Sequence, residues 1–227
     1  MLLSIIIPVY NEELTIGNII DRVKVAAQQT GLNFEIIVID DCSYDNSLEA
    51  AKKRGARVFT LTQHLGKGYA LRAGFAKAKG DIVVTIDSDG SHLPEELPEI
   101  LAPILHGEAD LTIGSRYLNH KHVATRRINA FGVKIFNRLI EAFTGVAITD
   151  SQSGYRAMKR EVIEKQKLYA REYEIESEML VKTVRAGFRV SEVPISFEQR
   201  TYGHSGVDPM WDGSKILYSI MLARFRG

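Results

Sequence analysis

Short runs of β-branched residues alternate with longer amphipathic segments through the first half of the chain. Apolar runs without polar alternation are typical of strands buried on both faces of a parallel sheet. The strands predicted from these runs cover residues 3–9, 34–39, 57–61, 82–86 and 110–113, and the predicted helices cover 12–29, 48–54, 69–79 and 93–105. Strands separated by such helices predict parallel βαβ units with right-handed crossovers.

The second half has a less regular pattern. Helical spacing over 128–143 and 174–186 predicts two helices, and 189–197 is predicted as a strand. No linker, repeat or low-complexity segment interrupts the chain. Its 227 residues are enough for one large α/β domain, so a single domain is predicted.

Composition and charge exclude only a few functional classes. The net charge of +1 gives no general attraction to nucleic acid. Cys42 is the single cysteine, so neither an intramolecular disulfide nor a cysteine metal cluster is expected, and a reducing cytoplasmic setting is favoured. Residues 1–10 lack the basic region of a signal peptide, and no apolar run is long enough to predict a membrane span.

Polar clusters follow three of the predicted strands directly: residues 10–12, Asp40 with Asp41, and Asp87 with Asp89. Ligands of parallel α/β sheets bind beyond the carboxyl ends of the strands, so the three clusters are expected at one edge. Two further interpretations stay open. Asp40 and Asp41 could cap the next helix, and Glu12 could be a first-turn acid favoured by the helix dipole.

Asp87 and Asp89 form the most informative pair in the sequence. Residues i and i+2 of an extended strand share a face, which places their Cα atoms roughly 6–7 Å apart. Carboxylates that close repel each other unless a cation or a proton lies between them. A hard divalent cation completed by substrate phosphates is the favoured occupant, and an acidic turn that caps the next helix is the alternative.

A basic stretch between Gly114 and Ile140 contains six cations and no acid: Arg116, Lys121, Arg126, Arg127, Lys134 and Arg138. Guanidinium groups bind phosphate through two parallel hydrogen bonds, so Arg116 is the first candidate for a phosphate clamp, followed by Arg156 and Arg200. A solvated basic face is the alternative.

Apolar residues are interleaved with these cations, namely Ile128, Phe131, Ile135, Phe136, Leu139, Ile140 and Phe143. This pattern fits a helix lying in a membrane interface and fits core packing equally well. Residues 216–222, followed by Arg224 and Arg226, are a second candidate anchor.

An ordered set of motifs resembles the inverting family 2 glycosyltransferases with the GT-A fold, most of all the polyprenyl-phosphate branch that is similar to dolichyl-phosphate mannose synthase. The motifs are IIPVYNEE at 6–13, IDDCSYD at 39–45, GKGYAL at 66–71, DSD at 87–89, GSR at 114–116, DSQSGYR at 150–156, EVPI at 192–195 and RTYGHS at 200–205. Two positions depart from the family pattern, because Ser91 and Gly206 stand where relatives usually carry Gln and Lys. The QxxRW motif of processive synthases is absent.

The resemblance implies a GT-A, Rossmann-like, mostly parallel sheet flanked by helices. The glycosyltransferase domain would cover 1–205, with a nucleotide-binding half over about 1–113 and an acceptor-binding half over about 114–205. An amphipathic tail would follow at 206–227. The implied enzyme uses Mg²⁺ or Mn²⁺ to move mannose or glucose from a GDP- or UDP-hexose to a polyprenyl (dolichyl) phosphate. Its implied setting is cytoplasmic, peripheral on the cytoplasmic membrane face, with a membrane-anchoring subunit as partner and no nucleic acid.

The resemblance also implies roles for individual residues. The catalytic residues would be Asp89, Arg116 and Glu176, and the metal ligands Asp87, Asp89 and Ser91. Acceptor phosphate would be bound by Arg116, Arg126, Arg156 and Arg200. The nucleotide sugar would be bound by Pro8, Tyr10, Glu12, Val38, Asp40, Lys67, Asp87, Ser88, Asp89, Arg116 and Arg200.

Two rival functions remain at this point. A hydroxyl acceptor on a saccharide or protein must lose a proton, and Glu176, which lies between Glu174 and Glu178, falls near the family position of a catalytic base. An ionised phosphate acceptor needs no base. The third hypothesis is a nucleotide-sugar-binding subunit without activity of its own, which depends on a membrane partner.

Overall fold

The computed structural model describes residues 1–118, 127–198 and 211–225. These residues build a seven-stranded sheet with the order β3-β2-β1-β4-β6-β5-β7. The strands are β1 Leu2–Val9, β2 Asn33–Asp40, β3 Arg57–Thr60, β4 Ile82–Thr85, β5 Leu111–Ser115, β6 Arg156–Lys159 and β7 Val190–Pro194. The mostly parallel sheet predicted from the apolar runs is therefore confirmed.

One strand runs against the others. β6 pairs antiparallel with β4 on one side and with β5 on the other, whereas β1, β2, β3 and β4 are joined by parallel pairing, as are β5 and β7. β6 was not predicted from the sequence, because this strand has only four residues, Arg-Ala-Met-Lys, with a charge at each end. A segment that short carries no recognisable apolar period.

Helices cover both faces of the sheet. They are α1 Ile16–Gln29, α2 Ser47–Lys53, α3 Lys67–Lys77, α4 Leu97–Leu105, α5 Arg127–Thr144, α6 Arg160–Glu164, α7 Ile175–Arg185 and α8 Trp211–Phe225, and a 3₁₀ turn at Pro94–Glu96 precedes α4. The first helix was predicted to begin at residue 12 and begins at Ile16. Asn11 adopts a left-handed conformation (φ 54°), so the chain turns once more before the helix can start.

Two apolar layers sandwich the sheet, which explains the unbroken β-branched runs. In β1, Ile5 and Ile7 face a core formed with α1, α2 and α4, whereas Ile6 faces a core formed with α3, α5, α7 and α8. Successive side chains of a strand point to opposite faces, so a strand covered on both faces must be apolar at every position.

The apolar faces of α5 and α8 contribute to the second core. Ile140 of α5 and Ile220 of α8 are fully buried, and Phe136 packs against the same core, so core packing accounts for this part of α5. The region predicted as a C-terminal amphipathic tail contains α8, which packs on α5 and α7. No helix in the described ranges is long and apolar enough to cross a bilayer.

Candidate active site

A partly buried ammonium group joins two carboxylates at the carboxyl edge of the sheet. Lys67, the first residue of α3, places its Nζ atom 2.6 Å from Oδ1 of Asp87 and 2.8 Å from Oε1 of Glu176. Asp87 follows β4, and Glu176 lies in the first turn of α7. Three elements distant in sequence therefore meet at one cation.

The electrostatics of this cluster favour the charged forms of Lys67 and Asp87. Burial alone would lower the pKa of Lys67, but the adjacent carboxylates of Asp87 and Glu176 outweigh it and raise that pKa. Burial likewise opposes ionisation of Asp87, yet Lys67, then His92, and more weakly Arg116 hold the pKa of the Asp87 carboxyl below its usual value. The cluster thus brings two carboxyl groups and one ammonium group together.

Gly154 forms the floor beneath the cluster. A Cβ atom at this position would lie 2.5 Å from Oδ2 of Asp87 and 2.8 Å from Nζ of Lys67, so a larger residue would displace both groups. The carbonyl of Gly154 also accepts a hydrogen bond of 2.8 Å from the hydroxyl of Thr85 in β4. The loop that precedes β6 is thereby held against the acidic edge.

The second carboxylate of the acidic pair closes a local turn. Oδ1 of Asp89 accepts hydrogen bonds from the Ser91 amide at 3.0 Å and from the Ser91 hydroxyl at 2.6 Å, and Gly90 between them has a φ of 80°. His92 follows, with Nδ1 3.8 Å from Oδ2 of Asp87. Burial lowers the pKa of His92, against the attraction of Asp87.

Arg116 lies at the same edge, after β5, and is bound to a buried acid. Its Nε and Nη2 atoms donate to the two oxygens of Asp150 at 2.6 and 2.7 Å, and Asp150 is fully buried. Arg116 was predicted to bind phosphate through its guanidinium group. One edge of that group is already hydrogen-bonded to Asp150, so a phosphate would bind the other edge. The carboxylate of Asp150 outweighs the effect of burial and raises the pKa of Arg116.

The loop that carries Asp150 is fixed from two sides. Glu192 of β7 accepts from the amides of Thr149 and Asp150 at 2.8 and 2.9 Å. Asn137 of α5 donates to the Thr149 carbonyl at 2.7 Å and accepts from the Ser151 amide at 3.1 Å. Contacts from β7 and α5 therefore hold the Asp150 loop, and Asp150 in turn orients the side chain of Arg116.

Asp40 and Asp41 do not cap the helix that follows them, so that interpretation was wrong. Asp41 accepts hydrogen bonds from the amides of Leu65 and Gly66 at 2.7 and 2.8 Å, and it thereby shapes the glycine turn that delivers Lys67. Asp40 is 1% exposed and accepts from the Ser43 amide at 3.2 Å. Both acids lie instead at the carboxyl edge of the sheet, beside the candidate site.

Glu12 was weighed as a first-turn acid, but α1 begins only at Ile16. The residue is buried, and its Oε2 atom accepts a hydrogen bond of 2.9 Å from the Thr15 hydroxyl. Its backbone amide donates to the Ser47 hydroxyl at 2.7 Å, which ties the β1 loop to α2. Glu12 therefore lies in the turn ahead of the helix, at the same edge as Asp40.

An aromatic surface lies beside these acids. The ring of His64 stacks on Tyr10 with centroids 4.0 Å apart, and Tyr44 meets Tyr10 edge-on at 6.3 Å. Nδ1 of His64 is 2.8 Å from Oδ2 of Asp41. Tyr10 is 39% exposed, which leaves part of its ring available to a ligand.

The remaining predicted residues are either buried or outside the described part of the chain. Pro8, Val38 and Ser88 are buried, and the Val38 side chain belongs to the apolar core beneath the edge. Arg156 is 1% exposed and donates to the carbonyls of Ser151, Ser153 and Glu176 at 2.7–2.8 Å, so its donors hold backbone in place. Lys121, Arg126, Arg200, the 200–205 motif and Gly206 lie outside the described residues, as do the side chains at 127–131.

Glu174 and Glu178, the neighbours of Glu176, serve the chain itself. Glu178 accepts from the amides of Tyr169 and Ala170 at 2.9 and 2.8 Å and contacts the Lys182 ammonium at 2.8 Å. Glu174 accepts from the Arg171 amide at 3.0 Å. Of the three acids in this stretch, Glu176 is the one that reaches Lys67.

Sequence reasoning gave no role to Asp150, Gly154 or His92. Asp150 and Gly154 lie inside a motif that was noted, but only the tertiary structure shows that one binds Arg116 and the other touches Asp87. The histidines show no metal-ligand spacing along the chain, so His92 could not be identified as a site residue from the sequence. Its proximity to Asp87 comes from the tight turn at Gly90.

Residues 4–166 match the family model described as "Glycosyl transferase family 2". The chain belongs to this family. It is accordingly a glycosyltransferase, and the resemblance seen in its motifs is confirmed, as is the GT-A fold.

Relatives of this glycosyltransferase include several proteins that act on lipid phosphates. The chain is 35% identical over 214 residues to a dolichol-phosphate mannosyltransferase of Pyrococcus furiosus, covering 90% of this chain and 59% of that protein. It is 34% identical over 169 residues to an undecaprenyl-phosphate 4-deoxy-4-formamido-L-arabinose transferase of Aeromonas hydrophila, covering 72% and 50%. An uncharacterized protein of Methanocaldococcus jannaschii is 31% identical over 97% of this chain and 91% of its own length.

Solved structures agree on the fold. Glucosyl-3-phosphoglycerate synthase from Mycobacterium tuberculosis, in complex with Mn²⁺, UDP and phosphoglyceric acid, superposes with a TM-score of 0.77 at 25% identity, covering 98% of this chain and 78% of that one. A mycobacterial protein gives a TM-score of 0.81 at 26% identity, covering 98% and 74%. The named lipid-phosphate transferases are longer, and this chain spans between half and two thirds of the two described above.

The donor set at the acidic edge suits a hard divalent cation. Asp87, Asp89 and Ser91 offer carboxylate and hydroxyl oxygens, which Mg²⁺ and Mn²⁺ prefer. Within the described ranges no group of three or more His, Cys, Asp or Glu side chains is arranged to hold a metal alone. A cation bound here would therefore need phosphate oxygens from the donor to complete its coordination.

Proposed function

We propose that this glycosyltransferase moves a hexose, with inversion, from a nucleotide diphosphate to a polyprenyl phosphate in a reaction that depends on Mg²⁺ or Mn²⁺. The observation that carries the proposal is the pairing at the site. Glu176, the carboxylate placed to act as a base, is 3% exposed and serves as the counter-ion of Lys67. An acceptor that is already ionised requires no base, and a lipid phosphate is such an acceptor.

Each part of the edge then has a task. Tyr10 would support the nucleobase, while Glu12 and Asp40 accept hydrogen bonds from the base or the ribose. A divalent cation held by Asp87 and Asp89 would stabilise the charge of the leaving diphosphate. Lys67 supplies a further positive charge beside the same group.

Arg116 would hold the acceptor phosphate in the proposed reaction. Its guanidinium is charged at every physiological pH, and Asp150 accepts hydrogen bonds from Nε and Nη2, so the remaining edge of the group would bind the phosphate. Attack by a phosphate oxygen on the anomeric carbon, opposite the departing diphosphate, forms the new sugar–phosphate bond and inverts the configuration. No proton has to be removed in this step.

Exposed apolar side chains support a membrane-surface location for the acceptor. α8 leaves Trp211, Leu217, Tyr218 and Met221 between 42% and 66% exposed, and Ile135 of α5 is 47% exposed. Trp and Tyr favour the interface between water and lipid, where one end of each side chain stays hydrated. We propose that this surface faces the cytoplasmic side of a membrane, directly or through an anchoring subunit.

A direct assay tests the proposal. Purified protein with Mn²⁺ is incubated with a polyprenyl phosphate and, in separate reactions, UDP-glucose or GDP-mannose labelled in the sugar. The expected result is label in the lipid extract with one of the two donors and its loss when EDTA is added. Metal-dependent stabilisation by a nucleotide sugar without any lipid product would instead favour a binding subunit that lacks activity of its own.

A further inference from the structure

The position of Lys67 has a consequence for how the metal and the donor are bound. Its ammonium lies against the carboxylate that would bind the divalent cation, at 2.6 Å from Oδ1 of Asp87. Two cations that share one carboxylate repel each other, so Lys67 and the metal compete for Asp87. This reasoning rests on the proposed function, because that function supplies the metal and the diphosphate.

The backbone that carries Lys67 is tightly packed, so the long side chain is the part of this residue that can move. Gly154 lies against the ion pair, where a Cβ atom would come within 2.5 Å of Oδ2 of Asp87 and 2.8 Å of Nζ of Lys67. The turn at Gly66 and Gly68 is packed against residues 170–172, where a Cβ atom on either glycine would clash with backbone or side-chain atoms at 2.4–2.8 Å. The Cα of Lys67 is consequently fixed, and its long side chain is the flexible part.

Glu176 provides the second position for that ammonium. Its side chain is 3% exposed and lies 2.8 Å from Nζ of Lys67, which also contacts Asp87 at 2.6 Å. The helix start that carries it is held by the buried Arg156, which donates to the Glu176 carbonyl at 2.7 Å. Glu176 can therefore keep hold of Lys67 when Asp87 is taken by another cation.

We propose that Lys67 is a built-in counter-cation that occupies Asp87 until the metal and the nucleotide diphosphate arrive, and that Glu176 is the positioning residue that retains Lys67 after this exchange. The released ammonium then lies beside the donor diphosphate, which offers it new oxygen partners. Metal binding is weak without a nucleotide and strong with one, so the site assembles only around its donor. Glu176 acts through Lys67 in this scheme and not as a base.

The test measures Mn²⁺ binding to the nucleotide-free protein, from the loss of the free-ion electron paramagnetic resonance signal. Lys67→Met removes the competitor, and we expect Mn²⁺ to bind at least about tenfold more tightly than to wild type. Glu176→Gln leaves Lys67 with Asp87 as its single anionic partner in the cluster, and we expect binding to weaken by at least about threefold. Lys77→Met removes an exposed charge from the same helix and should leave the affinity unchanged.

The predicted order of Mn²⁺ affinity is Lys67→Met above wild type above Glu176→Gln. A Lys67→Met protein that is folded by thermal melting yet binds Mn²⁺ no more tightly than wild type overturns the proposal, and so does undiminished binding by Glu176→Gln. If Lys67→Met does not fold, the charge-balanced pair Lys67→Met with Glu176→Gln replaces it and should also bind Mn²⁺ more tightly than wild type.

This experiment is independent of the acceptor. Neither donor nor lipid is present, so failure of the affinity order leaves the lipid-product assay untouched, and absence of lipid product leaves the affinity order untouched. A second readout separates positioning from base catalysis. If Glu176 positions Lys67, the Glu176→Gln variant raises the KM for the donor and keeps the shape of the wild-type pH–rate profile.

Discussion

The two ends of the sheet each carry a cluster of three charged residues, and the clusters are built differently. At the carboxyl edge, the side chains of Lys67, Asp87 and Glu176 are 17%, 24% and 3% exposed. At the opposite edge, Asp110 binds Lys159 at 2.7 Å and Arg189 at 3.1 Å, and those two cations are 30% and 55% exposed. The cluster at the carboxyl edge has two acidic residues and one basic residue, whereas the cluster at the opposite edge has one acidic residue and two basic ones.

The difference separates a ligand site from a structural clamp. Asp110 also accepts from the Arg189 amide at 2.9 Å, and its carbonyl accepts from the Lys159 amide at 3.0 Å, so this cluster, whose two cations are the more exposed part, ties β5 to β6 and β7. Solvent screens its charges, and no ligand is needed to complete it. The cluster at the carboxyl edge has more acidic than basic side chains, so it can accept a divalent metal, and that metal can in turn bind an anionic diphosphate. Substitutions at the two ends should accordingly affect different measurements.

The largest effect is expected at Asp89. Asp89→Asn keeps an oxygen for the Ser91 turn but removes the charge offered to the metal, and we expect transfer to fall by about 10²–10³-fold with little change in melting temperature. Asp81→Asn, at the opposite edge, is the matched control for transfer rate. Retention of near wild-type transfer by Asp89→Asn would remove the acidic pair from the proposed mechanism.

Gly154→Ala should impair both function and stability. The added methyl group meets the Asp87 carboxylate and the Lys67 ammonium. We therefore expect the unfolding free energy to fall by about 1–3 kcal/mol and the transfer rate to fall below roughly a tenth of the wild-type rate. Gly132→Ala in α5 adds the same methyl group where no atom lies within 4 Å, and it should leave both quantities near wild type. Equal behaviour of the two variants would show that the floor at Gly154 is not tight.

Arg116→Lys tests the fork that Asp150 holds. Lysine keeps the charge but cannot make both hydrogen bonds to the buried carboxylate, so we expect a loss of about 1–3 kcal/mol in unfolding free energy. The KM for the lipid phosphate should rise more than the KM for the nucleotide sugar. A selective effect on the donor would instead place Arg116 on the nucleotide side.

The smallest effect is expected at Asp110, and it depends on pH. Hydrogen bonding from Arg189, together with that from Lys159, holds the pKa of Asp110 below its usual value in the folded protein. The stabilisation is therefore complete above the unfolded pKa of about 3.9 and is lost as the pH falls through the lower folded value. Asp110→Asn should melt a few degrees below wild type at pH 7, a gap that closes under acid, with transfer unchanged throughout.

Residues 1–113 were predicted from the sequence more accurately than residues 114–205. Residues 82–86 and 34–39 have local patterns that the sheet preserves, since strands buried on both faces must be apolar throughout. β6 could not be found this way, because its place between β4 and β5 depends on pairing with two strands distant in the sequence. Local patterns do not encode such pairing.

The candidate site divides in the same way. Asp87 and Asp89 were identifiable because they interrupt an apolar run, and Arg116 because it begins an acid-free stretch. The partners of Lys67 and Arg116 were not identifiable, since Glu176 and Asp150 lie 109 and 34 residues away and reach them only through the fold. The sequence therefore located the charges but not their pairing.

The most direct test of the central claim compares two acceptors that share one lipid chain. Wild-type protein is given the preferred nucleotide sugar, Mn²⁺ and either a polyprenyl phosphate or the corresponding polyprenol, and the rate of sugar transfer to lipid is measured. The proposed mechanism predicts transfer to the phosphate and none to the alcohol, because the site supplies cations for an ionised acceptor and commits Glu176 to Lys67. Comparable transfer to the alcohol would contradict it.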